Sequence, residues 1–145
     1  MRIFISLGVL LVGLTLALPA QAGDRILKMP VSEAEAQPEA DHELRNVEFY
    51  WGDADHPAIA EDMGMRSTSQ RTRAMGREED EACHWVWLSA MKRLHSTAVR
   101  LGADAVVEIE SYYNENPYRS ESEYECAMGR AMAGVALRGR FVTFE

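Results

Sequence analysis

The stretch EDEACHWVWLSAMKRLHSTAVRL, residues 79–101, decides the fold of this chain. Its apolar residues recur at the three- and four-residue spacing of one helical face, which predicts a long amphipathic helix over Glu79–Leu101. Carboxylates crowd its start and basic residues occupy its later turns, as the helix dipole favours, and Gly102 is expected to end it. The apolar face consists of Cys83, Trp87, Ala90, Leu94, Ala98 and Leu101, widened by Trp85, Leu88 and Met91.

Three strands are predicted to follow the helix, because apolar and polar residues alternate in each. In the first, we expect Ala105, Val107 and Ile109 on the buried face. The strands are predicted over residues 103–113, 121–128 and 133–144. A helix followed by a strand meander indicates an α+β fold, with one long helix packed on a small, mainly antiparallel sheet.

The outward face of these strands carries opposite charges. Glu108 and Glu110 are expected to pair across strands with Arg138 and Arg140, which would stabilise the sheet by about 0.2 to 1 kcal/mol per pair. Such pairs are structural and give no indication of catalysis.

The chain before the helix is less regular. Residues 46–51 are predicted as a strand, residues 52–62 as a loop, and residues 64–73 as a polar strand at a sheet edge that would permit self-association into a homo-oligomer. Residues 23–45 are rich in Ala, Glu and Pro, with prolines at positions 30 and 38, and are predicted to be a flexible arm. A single domain is therefore expected over residues 46–145.

Residues 1–22 have the pattern of a secretory signal peptide. Arg2 precedes an apolar run that ends at Leu18, and the A-x-A pattern of Ala20 and Ala22 predicts cleavage after Ala22. The apolar run is too short for a membrane-spanning helix, which needs about 18 residues or more. The sequence therefore predicts a periplasmic or secreted protein.

Cysteine usage agrees with export. The chain has two cysteines, and an even count in an oxidising compartment favours a Cys83–Cys126 disulfide. Each is predicted to lie on the apolar side of its element, so both can reach the same helix-to-sheet core. The alternative, a redox-active pair, is disfavoured because the two are not arranged as Cys-x-x-Cys.

The formal net charge of -8 opposes association with nucleic acid. A local run of arginines at positions 66, 71, 73 and 77 lies in a segment rich in Ser and Thr, and we interpret it as a solvated strand face. No nucleotide partner is expected, because the chain has no G-x-x-x-x-G-K-[ST] phosphate loop.

Candidate sites for a small ligand are few. Asp53, Asp55 and His56 are weak candidates for a cation site, and we favour a turn whose Asp side chains bond their own backbone. The acidic run 78–81 is interpreted as dipole partners rather than a metal site, and Trp85 with Trp87 as core packing rather than a ligand groove. No G-x-S-x-G elbow or H-E-x-x-H helix is present, so we expect no catalytic residues, no enzyme and no cofactor.

Several blocks carry a resemblance to known proteins. They are residues 81–85 (EACHW), 100–107 (RLGADAVV), 111–113 (SYY), 123–126 (EYEC) and 132–139 (MAGVALRG). They resemble a family of small exported proteobacterial proteins, many of which are catalogued as "excinuclease ATPase subunit". That label does not suit this chain, which lacks the phosphate loop and a Cys-x-x-Cys pair for zinc.

More distantly, the helix, the turn into the next strand and the closing strands are similar to YbjQ-like heavy-metal-binding domains and to the Rcs stress-sensor outer-membrane lipoprotein. The first resemblance implies ring oligomers. The second implies a disulfide-stabilised module that binds envelope partners, although this chain has no lipid-bearing Cys after residue 22.

From these observations we expect a non-enzymatic module that binds an envelope protein or cell-wall component or senses envelope stress. The alternative is a carrier of a small ligand or metal ion at Asp53, Asp55 and His56.

Overall fold

The computed structural model describes residues 24–145. The long predicted helix is confirmed with its predicted bounds, and the later strands lie close to their predicted positions. The predicted signal peptide lies outside the described residues. The elements are β1 (Arg25–Pro30), α1 (Val31–Glu35), α2 (Pro38–Glu43), β2 (Glu48–Trp51), β3 (Ile59–Arg73), α3 (Glu79–Leu101), β4 (Ala105–Ser111), β5 (Glu123–Met128) and β6 (Met132–Phe144).

The sheet is built around β6. One side of β6 pairs along most of its length with β3, and the other side pairs with β5 at its start and with β4 towards its end. The edges are completed by β1 on β5 and β2 on β4. All pairs are antiparallel except β2 with β4. The predicted α+β fold, one long helix on a mainly antiparallel sheet, is confirmed.

The core lies between α3 and one face of the sheet. Trp87, Met91 and Leu94 of the helix are buried, and they belong to the same apolar cluster as Leu137 and Phe141 of β6. The helix ends where predicted, because Gly102 takes the left-handed conformation (φ 73°) that a helix C-terminus favours. Among residues 24–145, no helix is long and apolar enough to cross a membrane.

A disulfide joins the helix to the sheet. Cys83 of α3 and Cys126 of β5 are bonded, and both side chains are fully buried. The prediction of this pair is confirmed. The bond is consistent with an oxidising, extracytoplasmic location.

The structure differs from the predicted flexible arm over residues 23–45. Residues 25–30 form β1, which pairs with β5 and places Leu27 opposite Cys126. The two prolines do not interrupt helices: Pro30 is the N-cap of α1, and Pro38 is at the start of α2, where its missing N–H costs nothing. Because Val31, Ala34 and Ala40 are buried in the main core, the folded unit extends back to β1.

The apolar face predicted for β4 is wrong. Val106 and Ile109 face the helix, whereas Ala105 and Val107 join a small cluster on the opposite face of the sheet. The cause is an irregularity in β4 at Glu108, whose φ of 54° shifts the pairing with β6 and reverses the alternation after it.

The loop predicted over residues 52–62 is shorter than expected. The strand predicted from residue 64 begins earlier, at Ile59, and its pairing with β6 shifts between Asp62 and Met65. Gly64 lies in this shifted part with a φ of 91°, a conformation that glycine adopts without strain.

Candidate functional site

The sheet face that points away from α3, here called the open face, carries the predicted charge pairs. Arg138 Nε donates to Glu110 Oε1 over 2.6 Å, and Arg140 Nε donates to Glu108 Oε2 over 2.7 Å. Both cross-strand pairs are confirmed. Glu110 is only 4% exposed, so its carboxylate has little contact with water and is stabilised by the guanidinium group of Arg138 instead.

The network extends to the loops. Arg119 donates to Asp53 over 2.6 Å and to Glu110 over 3.1 Å, while Arg140 also reaches Asp62 over 2.9 Å. Hydrogen bonds to carboxylates raise the pKa of both guanidinium groups, chiefly Asp53 for Arg119 and Glu108 for Arg140. On the open face these carboxylates and arginines form a network of ion pairs that joins the strands to the loops.

The three residues predicted as a weak cation site are not brought together around one point. Asp53 is paired with Arg119, and His56 Nδ1 lies 2.9 Å from the carbonyl oxygen of Pro57. The His56 ring also stacks on Phe144, with 6.1 Å between centroids. Within residues 24–145, no group of three or more His, Cys, Asp or Glu side chains could hold a metal ion.

The acidic run at the start of α3 makes local contacts. Glu79 forms an ion pair with Arg25 of β1, and Asp80 Oδ1 accepts from the backbone N–H of Glu81 over 2.8 Å. The Asp80 contact is one that carboxylates make at a helix start, whereas the Glu79 ion pair joins the helix to β1.

The two tryptophans of α3 lie on different sides of the helix. Trp87 is fully buried and stacks on Trp51 with 6.5 Å between ring centroids, whereas Trp85 is 47% exposed beside Arg77. The predicted core packing is confirmed for Trp87 and wrong for Trp85, which lies outside the buried face of the helix.

His84 joins three elements. Its Nδ1 lies 2.7 Å from the buried Tyr124 hydroxyl of β5, and its Nε2 lies 3.5 Å from Glu33 of α1. The backbone carbonyl of His84 also accepts a hydrogen bond from Gln37 over 3.0 Å. Burial raises the pKa of Tyr124, and the Glu33 and Asp80 carboxylates raise it further. These contacts hold α1 against the core.

A different kind of surface lies between α3 and β3. A groove of about 300 Å³ runs between the two elements, over a floor formed by Leu94 and Phe141. We call it the arginine groove. Apart from this floor, the residues that line it are all basic or neutral polar, namely Arg66, Ser67, Thr68, Gln70, Arg93, Ser96, Thr97 and Arg100.

The charge of the arginine groove is uncompensated. Arg66, Arg93 and Arg100 are exposed, and none of them lies within ion-pair distance of a carboxylate among residues 24–145. They contrast with Arg119, Arg138 and Arg140 of the open face, which are all paired with carboxylates. Planar guanidinium groups beside hydroxyls are the donors that carboxylate and phosphate groups prefer. The arginine groove is therefore suited to an anionic group.

The sequence pattern does not bring the arginines of this groove together. It predicts Arg66 on a solvated strand face, and Arg93 and Arg100 in the later turns of the helix, where the helix dipole favours them. A signal was present in the helix, since Arg93, Thr97 and Arg100 share one face by their spacing. The position of β3 depends on its pairing with β6, which the sequence does not reveal. Arg66 lies opposite Gly139, on the face of the sheet that packs against α3.

Comparison with known proteins returned no family model, no curated protein and no solved structure that matches this chain.

Proposed function

We propose that this chain is an exported, non-enzymatic module of the cell envelope that binds an anionic group of its partner in the arginine groove. The observation that carries the proposal is the set of three exposed, unpaired arginines on facing elements of an otherwise acidic chain.

Export is supported by two independent features. The sequence of residues 1–22 has the pattern of a cleaved signal, and the Cys83–Cys126 disulfide suits an oxidising compartment. On this proposal the mature protein begins after Ala22 and acts in the periplasm or outside the cell.

The contacts of the acidic and basic side chains favour binding over catalysis. The buried carboxylate Glu110 is held by two arginines, and His84 is held between Tyr124 and Glu33. The arginine groove itself offers cations and hydroxyls without a carboxylate or imidazole to move a proton. Its chemistry is that of recognition.

The test is photo-crosslinking in intact cells with a photoreactive residue at Ser96, which lines the groove. The matched control places the same residue at Val99, which is 61% exposed on the same helix and does not line it. We expect a discrete adduct from position 96 that is absent from position 99. Mass spectrometry of the adduct should identify an acidic protein segment or an anionic cell-wall component.

Charge dependence provides the second control. The double variant Arg93→Gln/Arg100→Gln should abolish the adduct, while Arg77→Gln/Arg130→Gln, with the same change of net charge outside the groove, should retain it. Equal adducts from positions 96 and 99, or an adduct that survives loss of the groove arginines, would contradict the proposed function.

A further inference from the structure

Strand β3 has a free hydrogen-bonding edge. Within residues 24–145, its only strand partner is β6. Ser69 lies opposite Ala136, whose carbonyl oxygen accepts from Tyr112 over 2.8 Å on the far side of β6. In an antiparallel pair, two opposite residues direct their backbone groups either both towards each other or both away. Since the carbonyl of Ala136 points away from β3, the N–H and C=O of Ser69 point away from β6. The outward edge of β3 can therefore accept a further strand.

The charge of this edge determines which kind of strand can pair with it. Between residues 65 and 73, β3 carries three arginines and no acidic residue. Two copies of β3 side by side would bring six guanidinium groups together, which opposes self-pairing. An acidic segment has the complementary charge.

The two faces beside β3 are not equivalent. Arg66 faces α3, where it joins Arg93 and Arg100 in the arginine groove. On the open face, Arg71 lies in a second depression that also contains Glu115, so its positive charge is partly offset. Since alternate side chains of an added strand point to opposite faces, acidic residues are needed at every second position only.

We infer that β3 binds an extended acidic segment of a partner protein as an added strand, with alternate carboxylates in the arginine groove. This inference rests on the proposed function, because it names the partner that the groove binds. Backbone hydrogen bonds to β3 hold the segment, and the arginines select its sequence.

The experiment is isothermal titration calorimetry with a capped peptide of alternating Glu and Thr. Two further peptides of the same sequence carry N-methyl groups at the odd or at the even positions. In a bound strand only one of these sets has its N–H groups directed at β3, so one methylated peptide should lose about tenfold or more in affinity while the other loses much less.

Variants of the protein test the same backbone hydrogen bonds and the same charges, changed in this chain instead of the peptide. Ser69→Pro removes an outward N–H that makes no bond to β6, and an edge strand tolerates such a proline. Its matched control is Ser69→Ala. We expect Ser69→Pro and Arg93→Gln/Arg100→Gln each to weaken binding by about tenfold or more, and Ser69→Ala and Arg77→Gln/Arg130→Gln to change it by less than about twofold. If Ser69→Pro does not fold, the methylated peptides decide the question.

The outcomes separate the two proposals. If the groove variant weakens binding but both methylated peptides bind as tightly as the parent, the strand addition is overturned and the anion site stands. If neither the groove variant nor methylation matters, both are overturned. Binding of phosphatidylglycerol vesicles through the groove arginines without binding of the peptide, or dimerisation through β3 that the peptide does not disrupt, also overturns the strand addition.

Discussion

Opening the Cys83–Cys126 bond should remove a large part of the stability of this domain. The bonded residues are separated by 43 positions, and closing a loop of that length restricts the unfolded chain by about 4 kcal/mol in the chain-entropy model. At about 3–5 °C per kcal/mol for a domain of this size, the melting temperature should fall by roughly 12–20 °C. This loss is comparable with the whole stability of many small domains.

Urea unfolding, followed by tryptophan fluorescence, measures the effect. The oxidised protein is compared with the same protein held reduced, which changes no side-chain volume, and with Cys83→Ala/Cys126→Ala, which also leaves a cavity in the core. The reduced protein should unfold at lower urea with a steeper dependence on denaturant, since its unfolded state exposes more surface. A difference below about 1 kcal/mol between oxidised and reduced protein would show that the bond contributes little to stability.

Three further predictions concern the core and the open face. Gly139→Ala should destabilise the fold by about 1–3 kcal/mol in thermal unfolding, because its new Cβ would lie 2.5 Å from Val106 Cγ1; an unchanged melting temperature would contradict this packing. Glu110→Gln should cost about 1–3 kcal/mol in chemical unfolding, since Arg119 and Arg138 lose their buried carboxylate; the cost should be smaller in Arg138→Met, and an equal cost in that background would contradict the coupling. Burial raises the pKa of Tyr124 in the folded state, so the folded protein keeps a proton that the unfolded chain loses above about pH 10; stability should fall as pH rises past that point, and less steeply in Tyr124→Phe.

The elements that the sequence predicted well carry a local signal. The period of apolar residues in α3 continues over the whole helix, and Gly102 can take the left-handed conformation that ends it. The disulfide followed from the same pattern, because Cys83 and Cys126 both lie on apolar faces.

The errors arise where a single backbone conformation or a distant partner decides the structure. Glu108 adopts a positive φ that reverses the face of each later residue in β4, and a glutamate at that position does not predict such a conformation. Residues 25–30 form a strand by pairing with the edge of β5, a distant partner. Their composition alone indicates a flexible arm.

The site divides in the same way. The pairs of Glu108 and Glu110 with Arg140 and Arg138 could be predicted, since two glutamates two residues apart on one strand match two arginines two residues apart on another. The arginine groove could not, because Arg66 meets the helix arginines only through the register of β3 on β6.

The measurement that tests the anion site most directly is an NMR titration of the guanidinium Nε–H signals with the alternating Glu and Thr peptide. We expect the signals of Arg66, Arg93 and Arg100 to shift together and saturate with one dissociation constant, while those of the paired Arg119 and Arg140 stay in place. Shifts confined to other arginines, or no saturable shift in the groove, would contradict it.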